Sequence, residues 1–419
     1  MKNTIAVILA AGKGTRMKSR WPKVLHGLCG QPIIDYSLDT LKSLGIKKVI
    51  VVAGHQYDLI AGYLKGRAVL VKQKQLLGTA DALLRVQDKI TGFKGNLLVL
   101  CADAPLITPG IIKKLIGKFK ISQADCVLLT TILKKCGGYG RVVRNDKGCI
   151  MKIVEHKDAT PPERRKHEIN SGLYLFNSKH VFRLLKKITP RNKKGEYYLT
   201  DIISLFVSQG LKVKSVISPK PTEVLGINSK SELARAEQVL RRRILDQLMN
   251  KGVTVLDPKT TYIGSRVKMG RDGIIYPCTF IEGEITIGRD CRIGPFSRIR
   301  GRCRIADDVE IGNFVELARS NVGRSAKIKH HCYIGDCIIK NNVNIGAGTV
   351  TANYNGKEKS QTIIGQGAFI GSGTVLVAPV KVGKGAVTGA GSVVTAGRNV
   401  PAHTVVAGVP AKILKKKQS

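Results

Sequence analysis

Aromatic side chains are scarce: 5% of the 419 residues are Phe, Trp or Tyr, with a single tryptophan. Stacking platforms for bases are correspondingly few, which argues against a dedicated single-strand nucleic-acid binder. Acidic residues are also few, 29 against 70 Lys and Arg, leaving a formal net charge of +41. That excess is spread along the whole chain, and only Lys415-Lys416-Lys417 forms a short run. It reads as a Lys-rich solvated surface, part of whose charge serves phosphorylated substrates, with salt-sensitive nonspecific polyanion binding as a side effect. No apolar run reaches the roughly 18 residues of a membrane span, so no membrane association is expected. Ten cysteines are present but none lies in a CxxC pair, so neither a disulfide framework nor a metal knuckle is expected. The chain enters Asn3-Thr4-Ile5-Ala6-Val7-Ile8-Leu9-Ala10 directly, which reads as a buried strand and not as a signal peptide. A cytoplasmic protein is expected.

What the sequence does have is a beat of six. Aliphatic residues recur at Ile281, Ile287, Ile293, Ile299, Ile305, Ile311 and Leu317, and again at Ile364, Ile370, Leu376, Val382 and Val394, with the β-branched Thr388 keeping the beat. Neither an α-helix nor an alternating strand produces that period. A parallel β-helix with three flat sides does, each side advancing by one hexapeptide. Cys291 and Cys303 share their phase with Ser297 and Val309, an inward position near a corner where small side chains fit. The beat is ragged between Gly252 and Ile281, which makes the β-helix look short. It slips around Val322 and near Ile334–Ile345, then breaks at the polar segment from Asn353 to Gln361, which must leave the coil as a loop.

The first half is different. Ile5–Leu9, Lys48–Ala53, Asn96–Cys101 and Cys126–Thr131 read as buried strands, separated by amphipathic stretches such as Ile34–Leu44 and Thr79–Lys89. This alternation predicts a Rossmann-like α/β domain over residues 1–228, with a mainly parallel sheet and ligands beyond the strands' carboxyl ends. Residues 229–250, with apolar residues at helical spacing, read as a connecting helix. Residues 251–419 form the β-helix domain.

Directly after the first strand comes Leu9-Ala10-Ala11-Gly12-Lys13-Gly14-Thr15-Arg16-Met17, then Pro22-Lys23. A glycine-rich turn at a strand end lets backbone N–H groups approach phosphates, and Arg16 and Lys23 would offset phosphate charge. The full string resembles the signature of sugar-phosphate nucleotidylyltransferases and differs from both the P-loop and the dinucleotide fingerprint. Gln73 with Gly78-Thr79 resembles that family's base-reading segment, and Cys101-Ala102-Asp103 keeps only the acid of its usual Tyr-Gly-Asp. By resemblance, Leu9, Ala10, Ala11, Gly12, Lys23, Gln73, Gly78 and Thr79 bind UTP. Asp103 and Asn228 hold Mg²⁺, and Gly140, Glu155 and Asn170 contact the amino-sugar. Such a reaction asks for positioning and charge neutralisation, with no covalent nucleophile.

In the second half, His330-His331-Cys332-Tyr333-Ile334-Gly335-Asp336 is followed by Asn344-Ile345-Gly346-Ala347-Gly348-Thr349 and the loop from Asn353-Tyr354. A neutral histidine beside such a loop suits proton abstraction from an amine. With Gly312-Asn313-Phe314-Val315-Glu316, these strings resemble bacterial bifunctional N-acetylglucosamine-1-phosphate uridyltransferase/glucosamine-1-phosphate N-acetyltransferases over nearly the whole chain. The resemblance implies a left-handed parallel β-helix, a homotrimer, and His330 as general base for acetyl transfer from acetyl-CoA to glucosamine-1-phosphate. Arg300, Tyr333, Asn344 and Lys359 would bind the sugar phosphate; Ala347, Asn353, Tyr354, Ser372 and Ala390 would line the acetyl-CoA site. Uridylyl transfer to N-acetylglucosamine-1-phosphate would follow in the first half. The chain departs from that family in having Ala318-Arg319 at a sugar-binding lysine and Gly408 at an arginine that meets CoA. Two other readings stay open: a single-function nucleotidylyltransferase whose β-helix only oligomerises or regulates, and a polyanion-binding scaffold.

Overall fold

The computed structural model describes residues 3–416, so the expected basic run is described only through Lys416. The chain divides into two compact units, one holding residues 3–28 and 32–236, the other residues 29–31 and 237–416. The helix Lys230–Met249 gives its first turns to one unit and the remainder to the other.

In the first unit, strands β1 (Thr4–Ala10), β2 (Val49–Ala53), β3 (Val69–Lys72) and β4 (Asn96–Cys101) are joined by β5 (Cys126–Ile132), β6 (Arg141–Arg144), β7 (Ile150–Val154), β8 (Glu168–Asn177) and β9 (Val213–Ser218). The sheet order is β9-β5-β8-β4-β1-β2-β3, with β6 and β7 as an antiparallel hairpin attached to β8. Every pairing along the main path is parallel except those of β8. Alternation along β1 shows why helices cover both faces. Ala6, Ile8 and Ala10 pack into one apolar cluster, and Ile5, Val7 and Leu9 into the other. The strand expectations hold to within a residue or two. The stretch expected to be helical over Thr79–Lys89 is instead a short helix, Thr79–Leu84, and a 3-10 turn, Gln87–Ile90.

The second unit is a parallel β-helix. One face is a ten-stranded sheet. The other two merge into a thirteen-stranded sheet, because Phe280–Ile287 and Arg298–Ile305 each run past a corner onto the next side. The aliphatic beat points inward: Ile281, Ile293, Ile299, Ile311 and Leu317 are all at most 1% exposed. Cys291, Cys303, Ser297 and Val309 are buried with them, and all ten cysteines are free thiols.

The ragged start is already coiled, which corrects the expectation of a short β-helix. Thr254–Val255 pairs with Ile274–Ile275, Tyr262–Ile263 with Phe280–Ile281, and Lys268–Met269 with Thr286–Ile287. The beat is obscured because the first corner is longer, and Asp257 folds the extra residues by accepting from Lys259 N–H and the Thr260 hydroxyl. Ile328 is fully buried in the middle of the stack. Its replacement by Ala is expected to cost about 2–5 kcal/mol, and by Val about 0.5–1.5 kcal/mol. Urea denaturation followed by circular dichroism checks both.

Candidate functional site

Strands β1, β2 and β4 all end at the same edge of the sheet, because they run parallel and in register. Ala10, Ala53 and Cys101 therefore bring their following loops together, and the expected residues collect there. Gly14, at φ 63°, turns the loop after β1 back, leaving its Cα against the Lys23 side chain. The Lys23 ammonium forms an ion pair with Asp103 and donates to Asn228 Oδ1 at 3.0 Å. Asn228 is anchored by Glu232, which accepts its backbone N–H at 2.7 Å, and Ile227 N–H donates to the Asp103 carbonyl. Asp103 and Asn228, distant in sequence, thus aim oxygens at one cationic atom. The exposed Arg16 lies within electrostatic range of Tyr139, whose hydroxyl accepts Gly226 N–H at 3.1 Å.

Two further groups complete this edge. Gln73 is buried and donates to the Gly78 carbonyl and to Asp81, which fixes its amide. Gly78 sits at φ 123° against Tyr197, where a Cβ would fall 2.5 Å from the carbonyl oxygen. Thr79 accepts Leu199 N–H at 2.9 Å. In the other group, a Cβ on Gly140 would lie 3.4 Å from Glu155 Oε1, and the Gly140 carbonyl accepts Asn170 N–H. Asn170 donates to the Tyr174 hydroxyl at 2.6 Å.

Sequence reasoning missed three members. Thr200 donates to Glu155, Tyr198 buries a hydroxyl with no partner among the described residues, and Asp201 faces Asp158. Glu-Tyr-Tyr-Leu-Thr-Asp is a polar string at a helix start, and that was the signal available. Burial holds the Glu155 carboxyl above its ordinary range. Burial, with Asp103 adding, pushes the Cys101 thiol up to about 12, so Cys101 is an inert wall residue beneath the acid.

On the β-helix the expected residues fall into columns, one rung per coil. His330 occupies the place two residues past the inward Ile328, in register with Asn313 below. Its Nδ1 lies 3.0 Å from Asn313 Oδ1. An amide oxygen only accepts, so Nδ1 carries a proton, and in the neutral ring the lone pair is then on Nε2. The register continues through Ile345, Ile370, Thr388 and Val406, so the same column rises through Ala347, Ser372, Ala390 and Gly408. The adjoining column holds Phe296, Phe314 and His331 in a stack, then Gly348, Gly373 and Gly391, all with positive φ.

Tyr333 and Asn353 meet over Gly335, where a Cβ would lie 2.8 Å from the Tyr333 hydroxyl and 2.9 Å from the Asn353 amide. Arg300 is in register with Ala318, and Ala318 with Gly335; its Nε donates to Glu316 at 2.5 Å. Lys359 pairs in a bridge with the half-exposed Tyr354 across the extruded loop. Asn344 sits on another face, beside Lys327 and Phe369, away from the Tyr333 group. Arg319 and Asp336, also absent from the expected site, form a two-pronged pair. Hydrogen bonds from Arg319 hold the Asp336 carboxyl below its ordinary range.

Comparison with known proteins agrees with this two-part arrangement. Residues 6–189 match the MobA-like NTP transferase domain, and residues 284–319 and 361–396 match the bacterial transferase hexapeptide repeats. Among similar proteins, the bifunctional protein GlmU of Pelotomaculum thermopropionicum is 46% identical, covering 90% of either chain. The bifunctional proteins GlmU of Halalkalibacterium halodurans and Listeria monocytogenes serotype 4a are 41% and 38% identical, each over 91% of both chains.

Burial, with Asp158 adding, raises the Asp201 carboxyl to about 6. A carboxyl whose folded value exceeds its unfolded value of about 4 destabilises the fold once ionised. That cost is absent below about pH 4, grows between about pH 4 and 6, and is complete above. Asp201→Asn is therefore expected to raise the melting temperature at pH 8 and leave it unchanged at pH 4. Scanning calorimetry at the two pH values checks this, and equal shifts at both would contradict it.

Proposed function

The chain belongs to the GlmU family of bifunctional proteins, and from that premise we propose that it makes UDP-N-acetylglucosamine in two steps. The β-helix unit transfers acetyl from acetyl-CoA to the amine of glucosamine-1-phosphate. The α/β unit then joins N-acetylglucosamine-1-phosphate to the uridylyl group of UTP. The observation that carries the second step is the convergence of Lys23, Asp103 and Asn228 at the carboxyl ends of β1 and β4.

In uridylyl transfer a phosphate oxygen of the sugar phosphate attacks the α-phosphorus of UTP, and the bond to the β-phosphate breaks to release pyrophosphate. Gln73, Gly78 and Thr79 would hold the base, and the turn at Gly12 and Gly14 the phosphates. Lys23 and Arg16 neutralise charge on the leaving group. Glu155, Asn170, Gly140 and the unpartnered Tyr198 hydroxyl receive the amino-sugar. Asp103 and Asn228 fit Mg²⁺: they are hard oxygen donors already aimed at one cation, and this ion keeps most of its shell as water and phosphate. Among the described residues no cluster of three or more His, Cys, Asp or Glu side chains gathers. When bound, the ion supplies further neutralisation of the triphosphate.

In acetyl transfer, the His330 Nε2 lone pair takes a proton from the sugar amine as its nitrogen attacks the thioester carbonyl. The C–S bond breaks and CoA leaves as its thiol. Arg300, Tyr333 and Lys359 would bind the sugar phosphate, and Asn344, on another face, would reach it only from a neighbouring β-helix. Ala347, Ser372 and Ala390 would give the acetyl-CoA a bare surface, with Asn353 and Tyr354 lining its reacting end. The same reading makes the protein a cytoplasmic homotrimer, with neighbouring β-helices completing each acetyl-transfer site. Among the described residues no helix is long and apolar enough to cross a membrane. A single-function uridyltransferase is the second reading, favoured by Ala318 and Gly408 in place of charged residues.

Thiol release from acetyl-CoA, with and without glucosamine-1-phosphate, separates the two. Sugar-dependent release is expected; none, from protein that still forms pyrophosphate, leaves the single-function reading. His330→Ala is expected to slow acetyl transfer by about 10²–10⁴-fold and leave pyrophosphate formation intact. Asp103→Ala and metal chelation are each expected to abolish pyrophosphate formation and spare acetyl transfer. Loss of both activities in either folded variant would contradict the assignment of two separate sites.

A further inference from the structure

The slips in the hexapeptide beat occur at one corner. Successive inward residues Leu317 and Val322 are five apart, as are Ile334 and Ile339, where the regular step is six. In the next coil, Thr351 and Ile364 are thirteen apart, because the loop leaves the coil there. Two residues past the inward position, the corner column reads Gly283, Gly301, Arg319, Asp336 and Asn353. Arg319 and Asp336 take left-handed backbone at φ 50° and 49°. Each shortened corner thus places a charged side chain where the coils below carry glycine.

The consequences converge on Asp336. Its carboxylate accepts both prongs of Arg319, each at 2.7 Å, and also the Asn353 amide. Its carbonyl accepts Thr362 N–H at 3.2 Å. Asn353 begins the extruded loop and Thr362 follows its end, so one residue fastens both ends. The pair is one-third exposed or less, and Asn353 is 5% exposed. Ala318 points outward by strand alternation yet is fully covered, so a longer side chain there must displace its cover.

We infer that Arg319 is a positioning residue for the sugar-phosphate site. By holding Asp336 it fixes the extruded loop, and with it Asn353, Tyr354 and Lys359, against the coil beside Tyr333. Ala318 belongs to the same arrangement, and restoring a lysine there disrupts it. The inference rests on the acetyltransferase reading above.

The test is steady-state thiol release against glucosamine-1-phosphate and acetyl-CoA for wild type, Arg319→Ala, Arg319→Lys, Arg319→Ala/Asp336→Asn and Ala318→Lys. Circular dichroism melting of each variant serves as the control for folding of the β-helix unit. Arg319→Ala leaves Asp336 and the loop it fastens unheld, so KM for glucosamine-1-phosphate is expected to rise about tenfold or more, with KM for acetyl-CoA unchanged. Arg319→Lys keeps the charge without the two-pronged pairing; it is expected to stay folded with a smaller rise. Adding Asp336→Asn to Arg319→Ala is expected to cause little further rise, because Arg319 acts through Asp336, a non-additivity that independent destabilisation does not produce. Ala318→Lys is expected to raise the same KM. Unchanged KM in both Arg319 variants, or a further rise of similar size in the double variant, overturns the inference alone. Wild-type protein without sugar-dependent thiol release overturns the acetyltransferase reading and the inference with it.

Discussion

Parallel register between successive coils is the constraint on which the second unit depends. Because each inward aliphatic stacks on the one a coil below, any residue at a fixed offset from it stands in a vertical column. A side chain's functional neighbours are then about one coil away in sequence, and their alignment is held by buried packing instead of local turns. Asn313 and His330 meet for this reason, and so do Arg319 and Asp336. Removing one residue from a corner, or adding several, changes the column only at that corner, because the inward positions on either side resume their stack.

The first unit achieves convergence differently. Its parallel sheet sends strand ends to one edge, and residues from three distant segments meet there: Lys23, Asp103 and Asn228. Asn228 is supported by Glu232, and Asn170, in the neighbouring group, by Tyr174. Burial raises the Glu155 and Asp201 carboxyls alike.

Much of this was legible in the residues. The beat of six at Ile281 to Leu317 reports inward packing directly, and the glycines after β1 mark the tight turn made at Gly14. What escaped were relations that periodicity cannot carry. The coil over Gly252–Ile281 was obscured because its longer first corner breaks the beat without breaking the pairing. Arg319 and Asp336 lie seventeen apart only because one residue is missing, so a regular repeat does not pair them. Thr200 and Tyr198 join Glu155 through tertiary folding of β7 against the turn at Leu199–Asp201, which no local pattern announces. Asn344 was grouped with Tyr333 by resemblance, and the coil places them on different faces.

The column beside His330 changes character at that residue. Toward the first coils it is a pile of rings, Phe296, Phe314 and His331, with centroids 5.2 and 4.9 Å apart. Toward the last coils it is Gly348, Gly373 and Gly391, beside the small Ala347, Ser372 and Ala390. The coil axis is therefore polar in shape, blocked at one end and smooth at the other. A long thin molecule lying along that axis with its head at Nε2 has one orientation open to it, its tail trailing toward the C-terminal coils. Side-chain size along the column sets that direction.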